Sequence, residues 1–162
     1  ALSRWPVLVV CAGVKSLLDV AATREHLETL GAPVLGWRTD CFPRFYLRES
    51  AIPLDARVET AAEVARIARL HWSAGGAGIV LAAPCPEAAA LREEEFEEAL
   101  ALAEFERETS RASGREATPF LLARLHHHTR GRTLEANVAL IENNARVGAE
   151  VAAALAGAGG RA

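Results

Sequence analysis

Lysine 15 is the residue whose type and position most directly suggest chemistry in this sequence. The chain has 18 basic residues, of which 17 are arginine, and its single lysine closely follows the apolar run "VLVVC" of residues 7–11. Burial disfavours the ammonium form of a lysine, and a neutral amine can attack a carbonyl carbon. Arginine stays protonated and does not do this. Lys15 is therefore either a candidate nucleophile or a side chain that reaches solvent from a strand end.

Polar residues also follow the next two predicted strands. Thr39 and Asp40 come just after the second, and Cys85 just after the third. Ligands of open α/β sheets bind beyond the carboxyl ends of the parallel strands. Asp40 is therefore a candidate to hold a water or to orient Lys15, although an aspartate there is often a turn or cap residue. For Arg48 we favour a surface salt bridge over a ligand-binding fork.

Asparagines recur on the last predicted helix at helical spacing. Asn137 and Asn144 are seven residues apart and would share a face with apolar or small residues, which are Leu134, Ile141, Gly148 and Val151. A buried amide without a partner costs roughly 1–3 kcal/mol. The side-chain amides of Asn137 and Asn144 are therefore hydrogen-bonded to neighbouring backbone, exposed to solvent, or directed at a ligand.

The run His126 to His128 does not predict a metal site. Successive helical residues point about 100° apart, so the three side chains cannot chelate one ion together. We read these histidines as surface residues.

The pattern around these residues predicts an α/β fold, with a partial mixed or parallel sheet flanked by helices and a helical C-terminal portion. Short apolar runs at 7–11, 33–37 and 78–83 predict strands. Asp19 caps a helix that ends near Leu30, before Gly31. The first strand, this helix and the second strand form a predicted parallel βαβ unit.

The rest of the chain reads mainly as helix. Residues 38–58 show no sustained period and are expected to form an ordered loop without strands. Predicted helices start at Thr60 with a capping box, in the acidic run from residue 92, at Thr118 as N-cap with Pro119 following, and at Thr133. The acidic run predicts a solvated helix face whose charges need no ligand.

Composition narrows the class of protein. The chain has 162 residues, a formal net charge of −3 and three widely spaced cysteines. We expect a single domain over 1–162 with a frayed tail at 156–162, in a reducing cytoplasmic compartment. Neither nucleic acid nor membrane is an expected partner, because the chain has no basic field and no apolar run of about 20 residues.

Several blocks of the sequence resemble the pseudouridine-5′-phosphate glycosidase family. The block "CAGVKSLLD" is followed by "REHLETLGAPVLGWRTDCFPRFYLRES", which resembles the family's "LEYLETLGVPV" and "TDEFPAFY". The blocks "GGAGIVLAAPCPE", "TPFLLARL" and "TLEANVALIENNARVGAEVA" also resemble family motifs. The likeness is collinear and covers nearly the whole chain.

The resemblance implies a reaction and roles for particular residues. The family cleaves the C–C glycosidic bond of pseudouridine 5′-phosphate to give uracil and ribose 5-phosphate. The lysine of its "AGVKS" motif, matched by Lys15, forms a Schiff base with C1′ of the opened ribose, which arginine cannot do. Asn137 is implied to line the site. Ser16 and Asp40 are further candidate substrate-binding residues, with Asn143 and Asn144 behind them.

The resemblance also implies what is missing. Family members are about twice as long, and their acid/base glutamate, a substrate-binding lysine and the ligand of a divalent metal, typically manganese, lie upstream of "AGVKS". We therefore expect this chain to be the C-terminal half of such an enzyme, with no metal ligand of its own and little turnover alone, and we expect the full-length protein to be a homotrimer. The alternative is a truncated or degenerate, non-catalytic α/β module retained for assembly.

Overall fold

Four short strands form a parallel sheet in the computed structural model, which describes residues 1–54, 56–110 and 114–157. They are β1 (Leu8–Cys11), β2 (Val34–Trp37), β3 (Ala56–Val58) and β4 (Ile79–Ala82). Their order is β1-β4-β2-β3, and each neighbouring pair is parallel. The predicted α/β class is confirmed, in its parallel form. β4 lies between β1 and β2, so the strands of the predicted βαβ unit are parallel but not adjacent.

Helices follow the strands and dominate the second half of the described chain. They are α1 (Val20–Thr29), α2 (Ala61–Ser73), α3 (Glu93–Ser110), α4 (Ala117–His128) and α5 (Arg132–Gly157), with a short 3-10 turn at 114–116 before α4.

Local capping signals set the bounds of the first two helices. The Asp19 carboxylate accepts the Ala22 N–H at 2.9 Å, and Gly31 follows the helix with a positive φ of 65°. Thr60 and Glu63 form a reciprocal capping box at the start of α2. The Asp19 cap and the Thr60–Glu63 capping box each satisfy backbone N–H groups that the first helical turn leaves without intrahelical acceptors. The sequence predictions for α1 and α2 are confirmed.

The sheet is covered on both faces at its centre. Alternate residues of β4 point to opposite sides, so Ile79 and Leu81 pack with α2 and α5, whereas Val80 and Ala82 pack with α1 and the loop after β2. All eight residues of β2 and β4 are buried, as expected for central strands of a parallel sheet.

A second apolar cluster lies beyond the carboxyl ends of the strands. Ala12, which follows β1, packs there with side chains from the 45–47 loop, from α3 and α4, and from the first turns of α5. Phe96 and Leu125 are fully buried at its centre. This cluster supports the loops that follow the strands.

Some predicted boundaries were wrong. β3 falls in the segment predicted to lack strands, because a three-residue strand after Pro53 gives no periodic signal. α4 begins at Ala117 rather than after Thr118, and its N-cap, Glu116, makes no side-chain capping bond. α5 continues through Gly157, so the first two residues of the predicted tail are helical, and residues 158–162 lie outside the described chain.

The acidic helix is less purely solvated than predicted. Glu93 and Glu97 form ion pairs with Arg44 at 2.9 and 3.3 Å, and Glu95 pairs with Arg132 at 2.8 Å. These glutamates thus connect α3 to a loop and to α5. Among the described helices, none has the length and apolarity required to cross a membrane.

Candidate functional site

Lys15 lies in the loop that leaves the carboxyl end of β1. Its side chain is exposed, and its carbonyl accepts the Leu18 N–H at 2.8 Å in a turn that leads into α1. The described residues therefore do not bury this amine, whereas a role as a buried nucleophile would require them to do so. The position itself, at the carboxyl end of a parallel strand, is the one predicted.

The loop that carries Lys15 interlocks with the loop at 42–47. Gly13 forms a bridge with Arg44, and the Phe45 N–H donates to the Ala12 carbonyl at 2.9 Å. Gly13 has a φ of 84°, and a Cβ there would lie 1.8 Å from the Pro43 carbonyl oxygen. Glycine is thus required twice, by the left-handed backbone and by the close approach.

Ser16 joins the same two loops through its side chain. The buried hydroxyl donates to the Arg44 carbonyl and accepts the Tyr46 N–H at 3.3 Å. Ser16 was predicted to bind substrate, but in this structure its hydroxyl is hydrogen-bonded to backbone groups. It fixes the backbone next to Lys15.

Asn137 lines a cavity of about 410 Å³ between the 42–47 loop, α4 and α5. The lining residues are Tyr46, Leu122, Ala123, His126, Thr133, Leu134 and Asn137. Tyr46 belongs both to this cavity and, through its N–H, to the contact with Ser16, so the cavity adjoins the Lys15 loop. Lys15 itself is not among the lining residues. Burial raises the pKa of the Tyr46 phenol above its ordinary value of 10.0, which favours the neutral form.

Sequence reasoning did not identify Tyr46 or His126 as lining residues. Tyr46 belongs to the 38–58 segment, for which the sequence predicts only an ordered loop. His126 is exposed, as predicted, but it also borders the cavity. His128, partly buried, instead contacts Glu106 at 3.0 Å.

Asp40 lies after β2, as predicted, but on a different cavity from Asn137. Its exposed carboxylate pairs with Arg57 of β3 at 2.7 Å and borders a polar cavity of about 120 Å³. Arg48 lines the same cavity and donates to the Cys85 carbonyl at 2.7 Å, in place of the predicted surface salt bridge. The structure therefore brings Asp40 and Arg48 together, away from Asn137.

The other two asparagines of α5 differ from each other. Asn143 donates to the Pro84 carbonyl at 3.3 Å and accepts from Arg146 at 2.9 Å. The Oδ1 atom of Asn144 is buried and has no hydrogen-bond partner within the described chain. Neighbouring backbone thus satisfies Asn143 but not Asn144.

Two cysteines close to the strand ends are held as neutral thiols. Burial raises the pKa of Cys85 to about 11, although nearby Arg48 opposes the shift, and the thiol contacts the Ala136 carbonyl at 3.8 Å. Burial likewise raises the pKa of Cys11. A thiol is a poor nucleophile. The cysteines therefore do not compete with Lys15 for the role of nucleophile.

The described residues offer no ready metal centre. In residues 1–54, 56–110 and 114–157, no group of three or more His, Cys, Asp or Glu side chains is arranged to hold an ion. The chemistry proposed for this chain below rests on its own side chains.

The sequence matches a family model and a set of curated relatives. Residues 1–154 match the model described as indigoidine synthase A like protein. The chain is 45% identical over 155 residues to the pseudouridine-5′-phosphate glycosidase of Caldanaerobacter subterraneus subsp. tengcongensis, covering 95% of this chain and 50% of that protein. It is 49% identical over 156 residues to the protein of the same name from Roseiflexus sp., with 96% and 50% coverage.

Solved structures share the fold. The prealnumycin C-glycosynthase AlnA, in complex with ribulose 5-phosphate, superposes with a TM-score of 0.88 at 34% identity, over 97% of this chain and 52% of that one. An indigoidine synthase A-like protein from Thermotoga maritima gives a TM-score of 0.78 at 38% identity, over 93% and 50%.

Every one of these matches spans nearly all of this chain and about half of its relative. The chain therefore belongs to the indigoidine synthase A-like family and corresponds to the C-terminal half of the pseudouridine-5′-phosphate glycosidases in it.

Proposed function

We propose that this chain is the nucleophile-bearing part of a pseudouridine-5′-phosphate glycosidase, in which Lys15 forms a Schiff base with C1′ of the opened ribose. One observation carries the proposal. The only lysine of the sequence stands exposed at the carboxyl end of β1, in a loop whose backbone is held on both sides of it. An accessible amine on a rigid loop is suited to attack on a carbonyl.

The imine forms on the Lys15 amine. Its nitrogen bonds to the C1′ carbonyl carbon of open-chain ribose 5-phosphate, and the resulting carbinolamine loses one water to give the imine. In the direction of cleavage, the amine bonds to C1′ as the C1′–O4′ bond of the ribose ring opens and O4′ takes a proton. The C1′–C5 bond then breaks to leave the imine, with a proton delivered to C5 of uracil by the acid/base group assigned below to the other half. Water hydrolyses the imine, which releases ribose 5-phosphate and regenerates the amine. An arginine at position 15 would not support these reaction steps, because its guanidinium stays protonated.

The other residues of the chain serve this step from the two loops and from α5. Ser16 and Gly13 position the backbone around Lys15. Asn137 and Tyr46 border the cavity of about 410 Å³, which is suited to part of the substrate. Asp40, paired with Arg57, contributes at most to the outer rim. The acid/base group and the metal are assigned to the half that this chain does not match.

The relatives support the substrate class. The curated relatives are called pseudouridine-5′-phosphate glycosidases, and one solved neighbour is a C-glycosynthase in complex with ribulose 5-phosphate. A C-glycosidic bond and a phosphorylated five-carbon sugar thus recur in their descriptions. Because this chain spans about half of those relatives, we propose that it turns over little substrate alone.

Reductive trapping tests the proposal. The folded chain is incubated with ribose 5-phosphate and borohydride, followed by intact mass and peptide mapping. We expect a single adduct equal to one ribose 5-phosphate, less one water and plus two hydrogens, on the peptide that contains Lys15. The only other amine is the N-terminus, since the chain has one lysine.

Lys15→Arg is the matched control, because it keeps the charge and removes the imine-forming amine. The adduct should disappear in this variant. If the folded chain yields no adduct on Lys15, or if Lys15→Arg labels equally well, the Schiff-base assignment fails. The alternative of a non-catalytic module retained for assembly would then be favoured.

A further inference from the structure

The hydroxyl of Tyr46 is a polar group that the fold encloses without bonding to it. Tyr46 is only 7% exposed, its N–H donates to the Ser16 hydroxyl at 3.3 Å, and its carbonyl accepts the Leu91 N–H at 3.0 Å. The phenol hydroxyl makes no hydrogen bond with any group in residues 1–54, 56–110 or 114–157. Buried tyrosine hydroxyls usually have a hydrogen-bond partner. A partner from outside the described chain is therefore expected for this one.

The hydroxyl reaches the cavity of about 410 Å³ that Tyr46 lines. It is not one of the unpartnered side-chain atoms that are sealed from solvent, as the Oδ1 atom of Asn144 is. The ring of Tyr46 lies edge to face with that of Phe45, with centroids 4.9 Å apart, and its centroid is 6.3 Å from that of Phe96. Because these contacts hold the ring, the hydroxyl is in place before a ligand binds, which reduces the entropy lost on binding.

The rest of the cavity suits an uncharged, planar ligand with polar edges. Leu122, Ala123 and Leu134 give it apolar walls. The amide of Asn137, which also makes no hydrogen bond within the described chain, offers both a donor and an acceptor. Among the described residues that line the cavity, none is a lysine or an arginine, the usual partners of phosphate, and His126 is the one basic side chain. The lining thus favours a neutral heterocycle over a phosphate group.

The uracil base is the part of the proposed substrate that has this character. It has two flat apolar faces, and its edge carries two carbonyl acceptors and N–H donors. The base is bonded directly to C1′, the atom that Lys15 attacks under the proposed function, whereas the phosphate is on C5′. Ser16, the next residue after Lys15, bonds to the backbone of Tyr46, so the cavity adjoins the loop that carries the amine. The base is therefore the group that the cavity is placed to receive.

We propose that the hydroxyl of Tyr46 donates a hydrogen bond to a carbonyl oxygen of the uracil base and is a specificity-determining residue for that base. Asn137 offers its amide to the same ligand from α5. Burial raises the pKa of the Tyr46 phenol, which favours the form that donates. The inference rests on the proposed function, because it assigns a part of the same substrate, but the hydrogen bond does not require the Schiff base.

Fluorine NMR tests whether uracil reaches this hydroxyl. Tyr46 is the only tyrosine of the chain, so replacement of tyrosine by 3-fluorotyrosine gives a protein with a single fluorine resonance. Uracil alone is titrated into the folded chain up to its solubility limit. We expect a saturable shift of this resonance, and we expect ribose 5-phosphate alone to leave the resonance unchanged.

Removal of the hydroxyl makes the test specific. Tyr46→Phe keeps the packed ring and should weaken uracil binding by about three- to tenfold in ligand-observed NMR, because one hydrogen bond of ordinary strength is lost. Its melting temperature should not fall, since no group of the described chain bonds to the hydroxyl. A hydroxyl with a purely structural role would show the reverse pattern. Thr29→Val is the matched control, because it removes an exposed hydroxyl of α1 that bonds to the Glu25 carbonyl, and it should bind uracil as the wild type does.

Thiouracils identify the oxygen that accepts the bond. In 2-thiouracil and 4-thiouracil one carbonyl oxygen is replaced by sulfur, which is a weak acceptor. The wild type should bind one of these two analogues less tightly than uracil, and Tyr46→Phe should bind that analogue and uracil equally well. This coupling between variant and analogue separates a lost hydrogen bond from a change in ring packing.

Three results would overturn the proposal. They are a fluorine resonance that uracil does not shift, uracil affinity that is equal in the wild type and Tyr46→Phe, and a resonance that ribose 5-phosphate shifts in place of uracil, which would assign the cavity to the sugar phosphate. Trapping on Lys15 is a separate result. Uracil bound through Tyr46 without an adduct on Lys15 would support the base site and remove the Schiff base, whereas an adduct without uracil binding would do the opposite.

Discussion

Cys85 links one buried side chain to the stability of the whole chain. Its thiol is fully buried and contacts the Ala136 carbonyl, which a thiolate could not do as a donor. Burial raises its pKa from 9.0 to about 11.

The pH dependence of stability should report on Cys85. An unfolded thiol ionises near pH 9 whereas the folded one stays protonated until about pH 11, so the unfolded state loses its proton first. The stabilisation is complete below pH 9 and is lost as the pH rises from 9 to 11. We expect the free energy of unfolding of the wild type to fall by about 1 kcal/mol more than that of Cys85→Ala between pH 7.5 and pH 10.

Urea unfolding at both pH values measures this difference. Cys41→Ala, at a partly exposed cysteine, is the control and should follow the wild type. An equal loss of stability in Cys85→Ala and wild type would contradict the assignment.

At the scale of elements, the candidate site is a pair of interlocked loops. The loop after β1 and the loop at 42–47 are joined by the Gly13–Arg44 bridge, by the bond from Phe45 to Ala12, and by the hydroxyl of Ser16. Arg44 then ties the second loop to α3 through Glu93 and Glu97. Lys15 is therefore positioned by contacts between segments about 30 residues apart.

Gly13→Ala should break this arrangement more than a comparable glycine substitution elsewhere. Gly31→Ala is the control, because Gly31 also has a positive φ but a Cβ there would meet nothing within 4 Å. The left-handed backbone alone should cost Gly31→Ala about 1–2 kcal/mol. Gly13→Ala should cost distinctly more, because its Cβ collides with the Pro43 carbonyl.

Thermal and urea unfolding of both variants give the two free energies of unfolding. Trapping of ribose 5-phosphate on Lys15 should fall in Gly13→Ala and be unchanged in Gly31→Ala. Equal destabilisation and equal trapping in the two variants would show that the loop contact does not position Lys15.

At the scale of the whole molecule, the sheet is closed at its centre and open at β1. β2 and β4 are buried on both faces, whereas Val9 of β1 remains exposed at the edge of the sheet. The chain matches about half of each relative considered.

Amide exchange in the isolated chain should show the open edge directly. The N–H groups of Val9 and Cys11 point towards β4 and should be protected, whereas those of Leu8 and Val10 point outwards and should exchange quickly. Residue-resolved exchange by NMR measures this alternation. Uniform protection from Leu8 to Cys11 would mean that the outer edge is already paired.

The sequence by itself determined the local elements and the family. The caps at Asp19 and Thr60, the apolar runs of β1, β2 and β4, and the place of Lys15 after β1 were all predictable, because each signal lies within a few neighbouring residues. The α/β class and the resemblance to half of a glycosidase followed from these signals and from the motif blocks.

The tertiary structure alone decided which of these elements meet. The order β1-β4-β2-β3, the short β3, the use of Ser16 as a link to Tyr46, and the separation of Asp40 from the cavity of Asn137 all depend on residues far apart in the chain. The spacing places Leu134, Ile141 and Val151 on one face with Asn137 and Asn144. In the structure Leu134 and Ile141 are exposed, whereas Val151 is buried together with Thr133, Ala136, Leu140 and Val147. Spacing places residues on a helix face, but only packing decides which face is buried.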